Sequence, residues 1–239
     1  MKIALIGYGK MGKAIEEIAL QRGHSVILKI DEFNVEDFNR ENLSKAQVAI
    51  EFTSPHSAFV NVSKCLQFGC PTVCGSTGWT EQLGPIRDLC RETGGSFLYA
   101  SNFSIGVNIF FELNRKLAAL MNGHPEYQVS LEEIHHTHKK DAPSGTAITL
   151  AEQIMEAMPA RKTWVNHETT DPSQLGIVSK RIDPAPGTHS IRYHSEIDDI
   201  EIIHTAHNRK GFALGAVLAA EFIHDKKGWF SMKDVLQLR

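Results

Sequence analysis

The chain has 239 residues, 42% of them hydrophobic, and a formal net charge of -3, which is length enough for one full core or two modest domains. With no basic cluster beyond pairs such as Lys139-Lys140, counterion release offers little affinity for nucleic acid, and none is expected as a partner. The longest nearly uncharged apolar run, Gly211 to Ala220, is shorter than the roughly 20 residues of a membrane span, and Met1-Lys2 enters "IALIG" with no signal-like region, so no membrane contact and a cytoplasmic location are expected.

From the N-terminus, short β-rich runs alternate with helical patterns: "KIALIG", a helix from Met11, "SVILKI", "QVAIEF", a helix from Pro55, "PTVCG", a helix from Glu81 and "SFLYAS". That alternation predicts a parallel α/β sheet. The first helix aligns Met11, Ala14, Ile15, Ile18 and Ala19 on one stripe, the spacing of a helix packed on a sheet. Ser54 with Pro55 reads as the start of the second helix, ended by Gly69, and Thr80 as the cap of the third, which stops at Gly94-Gly95. Cys65, Cys70, Cys74 and Cys90 form no CxxC pair and are read as reduced core thiols.

After "SNFSIG" the pattern changes to a long helix ("VNIFFELNRKLAALMN"), a strand ("YQVSLEEIHHTH"), a helix from Thr146, and three strand-like runs, "LGIVSKRI", "HSIRYHSE" and "DIEIIHTAH". Strands in succession predict an α+β second domain on an open mixed or antiparallel sheet. The expected division is 1–103 with 209–239 for the first domain and 104–208 for the second. The last helix and the capped "SMKDVLQL" return to the first. Joints at Phe103-Ser104 and Asn208-Arg209 would permit hinge closure.

"IGYGKMGKAI" places Gly7, Gly9 and Gly12 in GxGxxG spacing between a buried strand and a helix. Such a turn lets a pyrophosphate approach the backbone, and the helix N-terminus supplies free N–H groups and positive dipole. Asp31 lies where the fingerprint expects an acidic residue for the adenine ribose, which favours NAD, while Lys10 in the turn can pair with the 2'-phosphate of NADP. Two later loops, Gly75-Ser76-Thr77 and Ala100-Ser101-Asn102-Phe103, fall outside the carboxyl ends of strands, where a parallel sheet presents ligands. Phe103 is expected to pack against a flat ring there.

The stretch "EEIHHTHKKDAPSGTA", Glu132 to Ala147, admits three readings. As a metal site it has His136 and His138 on one strand face but neither HExxH, clustered cysteines nor a carboxylate partner, so no metal is expected. As an anion site, Pro143-Ser144-Gly145-Thr146 delivers a helix N-terminus, with Ser144 or Thr146 as cap, Gly145 open to an oxygen, Lys139 as countercharge, and an apolar stripe through Ile148, Ala151, Ile154 and Met155. As a proton donor, a histidine beside a bound substrate suits, with His135 facing opposite to His136 and His138 for as long as the strand continues. Together these point to a dinucleotide on the first domain and an anionic substrate on the second.

These residues resemble a specific family. "EEIHHTHKKDAPSGTA", with "GYGKMG", "EFTSP", "CGSTGWT", "SNFSIGVN" and "NRKGFALGAV" in order along nearly the whole chain, is similar to 4-hydroxy-tetrahydrodipicolinate reductase, also called dihydrodipicolinate reductase, of lysine synthesis. The resemblance implies reduction of a cyclic small-molecule dicarboxylate by NADH or NADPH in a homotetramer built on the second domain's sheet. It implies His135 as proton donor and Lys139 as the second catalytic residue, acting near the leaving water or the developing charge. It also implies His136, Ser144, Gly145 and Thr146 around the substrate carboxylates. The implied cofactor residues are Gly7, Tyr8, Gly9, Lys10, Met11, Gly12, Asp31, Gly75, Ser76, Thr77, Ala100, Ser101, Asn102 and Phe103. The chain departs from the family pattern in a glycine turn one residue shorter, in "EFT" for Asp-Phe-Thr, and in an abbreviated Asp31–Val48 region. A non-catalytic redox sensor would not need Lys139, and another two-domain dehydrogenase would leave the His135-to-Thr146 constellation unexplained.

Overall fold

The computed structural model describes residues 1–208 and 210–238. They divide into two units, Met1–Asn108 with Lys210–Arg239, and Ile109–Arg209. Arg209, in the expected second joint, lies outside the described residues. The first division falls at Asn108, inside a helix, and not at Phe103-Ser104.

The first unit contains β1 (Lys2–Ile6), α1 (Lys10–Gln21), β2 (Ser25–Ile30), α2 (Arg40–Leu43), β3 (Val48–Glu51), α3 (Pro55–Gln67), β4 (Thr72–Cys74), α4 (Leu83–Glu92) and β5 (Ser96–Tyr99). The strands β1, β3 and β4 are buried almost end to end, as expected of strands covered on both faces. Six strands form one parallel sheet in the order β11-β5-β4-β3-β1-β2, where β11 is the late strand Gly228–Phe230. Ile15, Ile18 and Ala19 of α1 share a core with Ala213, Ala216, Val217 and Ala220 of the last long helix, α7 (Lys210–Ile223). Ala58, Val62 and Leu66 of α3 and Ile86 and Cys90 of α4 pack around Trp79 and Phe97 in another. The four cysteines are free and buried. A short terminal helix, α8 (Met232–Leu236), is capped by Ser231, whose N–H and Oγ–H both donate to Asp234 Oδ2.

The second unit takes most of α5 (Ile105–Met121), then β6 (Gln128–His135), α6 (Gly145–Ala157), β7 (Thr163–Val165), β8 (Gln174–Arg181), β9 (Gly187–His194) and β10 (Asp199–Ala206). Its sheet runs β10-β9-β6-β8-β7, antiparallel on one side of β6 and parallel on the other. The fold is therefore α/β, with a six-stranded parallel sheet and a second, mixed sheet. Leu131, Ile177 and Ile191 meet in register on one face, where Phe110 and Ala118 of α5 and Leu150, Ala151 and Ile154 of α6 cover them. One row further along, the same face carries Glu133, Ser179 and His189 in register. The face changes from apolar to polar where α6 begins.

Several local expectations need correction. Thr80 caps nothing, because it opens a 3-10 turn (Thr80–Gln82) and α4 follows from Gln82. Ser54 occupies the cap position of α3, but its hydroxyl pairs with Ser57 Oγ and caps no backbone N–H. The buried stripe of α6 runs through Ala147, Leu150, Ala151, Ile154 and Met158, with Ile148 and Met155 only half-buried. The strand β6 stops at His135, so His136 and His138 do not share a strand face. A turn follows, in which Lys139 N–H donates to His136 O at 3.1 Å.

Candidate active site

In the first unit the glycine turn is shaped by close approach. A Cβ on Gly7, whose φ is +98°, would lie 2.1 Å from Phe52 O, and one on Gly12 would lie 2.4 Å from Gly7 O. Beside Gly9 there is open space. Gly9 is the N-cap of α1 and offers no side chain to the first-turn N–H groups, which are therefore available to an anion. The donor set fits a pyrophosphate.

The remaining cofactor candidates follow the ends of β2, β4 and β5. Asp31 is exposed directly after β2, its Oδ1 accepting from Phe33 N–H at 2.9 Å, which holds the carboxylate at the strand end. Tyr8 hydroxyl donates to Glu16, which also pairs with Lys29 at 2.6 Å. Lys10, Gly9 and Ser101 are exposed, Met11, Ala100 and Asn102 half-buried. Thr77 is exposed, whereas Ser76 is buried, its Oγ accepting from Thr53 N–H at 2.8 Å and donating to Glu51. Phe103 is 2% exposed, its ring against Phe52. Its ring therefore belongs to the core and presents no open face to a bound ring.

Sequence reading noted Glu51 only as a departure from the family's Asp-Phe-Thr and gave it no role. This fully buried carboxylate accepts from Thr53 Oγ1, from Ser76 Oγ at 3.1 Å and from Cys74 Sγ at 2.9 Å. It thereby ties the loop after β3 to the loop after β4. The "EFT" motif was a signal for it, since a carboxylate at the end of an otherwise buried strand requires partners.

In the second unit Ser144 is the N-cap of α6, its Oγ accepting from Ala147 N–H at 3.2 Å. Gly145 is exposed with nothing near its missing side chain, and Thr146 is half-buried. The first-turn N–H groups can therefore meet an anion. Lys139 Nζ holds both oxygens of Asp141 at 2.9 Å. Burial draws the Asp141 carboxyl upward, but the Lys139 ammonium outweighs it and leaves the group below its ordinary range. Asp141 lies in the quoted stretch without having been recognised as the lysine's partner. His136 is half-buried with Nδ1 unpaired, and His138 is exposed.

His135 is buried among groups from three strands. Glu133 Oε2 lies 3.4 Å from its Nδ1, and the His189 ring stands edge-on with centroids 5.1 Å apart. Burial pushes the His135 imidazole down to about 4, opposed by Glu133 and reinforced by His189, Lys139 and Arg181. The expectation that no carboxylate partner stands near the histidines is corrected here, because one donor atom each from Glu133, His135 and His189 lies within 4.8 Å of the others. By donor type this trio can hold a metal. Against that, Arg181 Nη2 sits 3.3 Å from the same carboxylate, placing positive charge where an ion would bind. Glu133 was legible as the residue two before His135 on the same strand face. His189 arrives through cross-strand register, which no local signal announces.

Comparison with known proteins agrees along the whole chain. Residues 1–103 match the family model described as dihydrodipicolinate reductase, N-terminus, and residues 106–236 that described as dihydrodipicolinate reductase, C-terminus. The 4-hydroxy-tetrahydrodipicolinate reductase of Christiangramia forsetii is 50% identical over 99% of this chain and 98% of its own. That of Thermosipho africanus is 35% identical over the same shares. Among solved structures, a dipicolinate-bound dihydrodipicolinate reductase from Paenisporosarcina sp. TG-14 superposes with a TM-score of 0.77 and 26% identity, covering 97% of each chain. With both halves matched in order and a relative at 50% identity over nearly its full length, the chain belongs to the dihydrodipicolinate reductase family.

Proposed function

We propose that His135, Lys139 and the N-terminus of α6 carry out substrate chemistry in this chain. The activity is that of a 4-hydroxy-tetrahydrodipicolinate reductase, an NADH- or NADPH-dependent oxidoreductase of the diaminopimelate route to lysine. The reaction adds a hydride and a proton to the cyclic dicarboxylate and releases water. When bound, the reduced nicotinamide supplies the hydride. Gly7 to Gly12 would hold the pyrophosphate and Asp31 the ribose, with Gly75 to Thr77 and Ala100 to Asn102 lining the ring and Phe103 supporting that loop from the core.

The remaining steps fall to this chain's side chains. The N–H groups of Gly145 and Thr146, with His136 and Ser144, take the substrate carboxylates. Lys139 stabilises developing charge beside the leaving hydroxyl, and Asp141 holds its ammonium in place until substrate arrives. His135 delivers the proton, and the negative charge of the bound dicarboxylate raises the proton affinity of a ring that burial otherwise keeps neutral. The observation that carries this reading is the convergence of a capped, unobstructed helix N-terminus with a lysine and a buried histidine on one short stretch. A cytoplasmic location and a homotetramer assembled through the second unit belong to the same proposal. No described helix is long and apolar enough to cross a membrane.

The test generates substrate in place with an enzyme that condenses aspartate semialdehyde and pyruvate, and follows oxidation of NADH and NADPH in parallel. Oxidation that depends on the condensing enzyme supports the reading, and the rate ratio ranks the two cofactors. Nicotinamide binding without turnover of either would contradict it.

A further inference from the structure

Glu133 is fully buried, yet its two oxygens serve different neighbours. Oε1 accepts from Ser144 N–H at 3.1 Å and from Arg181 Nη2 at 3.3 Å. Oε2 faces His135 Nδ1 at 3.4 Å and His189 Nε2 at 3.6 Å. Among the described residues neither Glu133 Oε2 nor His135 Nδ1, both buried, has a hydrogen-bond partner, and the two atoms lie 3.4 Å apart. Buried polar atoms left unpaired are costly. A proton on Nδ1 and a small closing of the 3.4 Å gap satisfy both at once. The proton on Nε2 instead would set two acceptors against one another.

The charges around the ring agree. Burial draws the Glu133 carboxyl upward, but the His189, Ser144 and Ser179 groups beside it outweigh burial and hold the carboxyl below its ordinary range. Facing His135 are Glu133 on its own strand, Arg181 from β8, His189 from β9 and Lys139 from the following turn. Glu133 alone among these is an anion. Its other oxygen holds the backbone of Ser144, the N-cap of α6.

We infer that Glu133 is a positioning residue that holds His135 with its proton on Nδ1, leaving Nε2 to exchange a proton with substrate, while its second oxygen anchors the helix N-terminus that takes the substrate carboxylate. The inference rests on the proposed role of His135. One carboxylate thereby fixes the distance between the proton donor and the anion site. Such carboxylate–imidazole contacts set which ring nitrogen carries the proton.

Glu133→Gln separates the two duties. The amide oxygen still accepts from Ser144 N–H, but the amide nitrogen now donates toward His135 Nδ1 and forces the proton to Nε2. Ring 15N shifts of the resting enzyme at neutral pH, assigned against His135→Ala, read the tautomer without turnover. We expect Nδ1–H in the wild type and Nε2–H in E133Q, with kcat lowered at least about 10-fold, an altered pH profile, and substrate KM within about threefold. Glu133→Ala should raise KM as well. Nε2–H in the wild type overturns the inference, as does E133Q with an unchanged tautomer and pH profile. If E133Q fails to fold, the wild-type tautomer decides alone. Zinc added to the wild type that shifts the same ring signals at stoichiometric concentration would make the trio a metal site and also overturn it. Full turnover in His135→Ala would instead sink the role of His135 while leaving the tautomer measurement to stand.

Discussion

A buried imidazole with a proton affinity well below that of a free one links folding to pH. The unfolded chain binds a proton on His135 near its ordinary value of 6.5, whereas the folded chain does so only near 4. Between those values the unfolded state binds more protons, so stability rises with pH across this window and is lost on acidification from about 6.5 to about 4. Urea unfolding at pH 7 and 4.5 should show a larger loss for the wild type than for His135→Asn. Equal losses would mean that the ring is not kept neutral by burial. Gly187 makes a second point at this scale, because a Cβ there would sit 3.0 Å from His135 Nε2 and 3.2 Å from Cδ2. Gly187→Ala should displace the ring and lower kcat by about 10-fold or more, with NADH affinity unchanged by fluorescence titration. An unchanged kcat would show that Nε2 is not the working nitrogen.

Among the elements, α6 carries the anion site and its start is the sensitive point. Thr146→Val removes a hydroxyl from the first turn while keeping shape, and should mainly raise substrate KM; unchanged KM and kcat would refute the helix-terminus clamp. The turn before α1 is the counterpart for the cofactor. Gly12→Ala would drive Cβ to 2.4 Å from Gly7 O, so NADH binding should weaken at least about 10-fold, as expected of a displaced backbone donor set. The glycine turn and the stripe of α1 were readable because they depend on local period and spacing. So was the order of the longer strands. The three-residue strands β7 and β11 were missed because they are only partly buried and stand among polar residues, whereas β4, equally short, is a fully buried apolar run. The end of β6 at His135 was missed for another reason: "EEIHHTH" continues a strand-like composition into a turn. Glu133 and Arg181 lie on strands that were recognised, yet their meeting with His189 depends on register, which composition does not encode.

For the whole molecule, one unit holds a parallel sheet with a glycine turn and the other a mixed sheet with the polar cluster. The second sheet also leaves apolar surface exposed. On its edge strand β10, Ile203 is 58% exposed, and Ile197 in the preceding loop is 87% exposed. An uncovered edge with isoleucines is a surface that assembly would bury. Light scattering should give four times the 26.6 kDa chain mass for the wild type, and Ile203→Lys should shift it toward smaller species. A wild-type monomer at micromolar concentration with full activity would contradict the tetramer. We propose that the His135-to-Thr146 stretch performs the substrate chemistry while the other unit binds nicotinamide. In the coupled assay, turnover of Lys139→Ala should fall at least about 100-fold while its affinity for NADH is retained; wild-type turnover would remove Lys139 from the substrate chemistry.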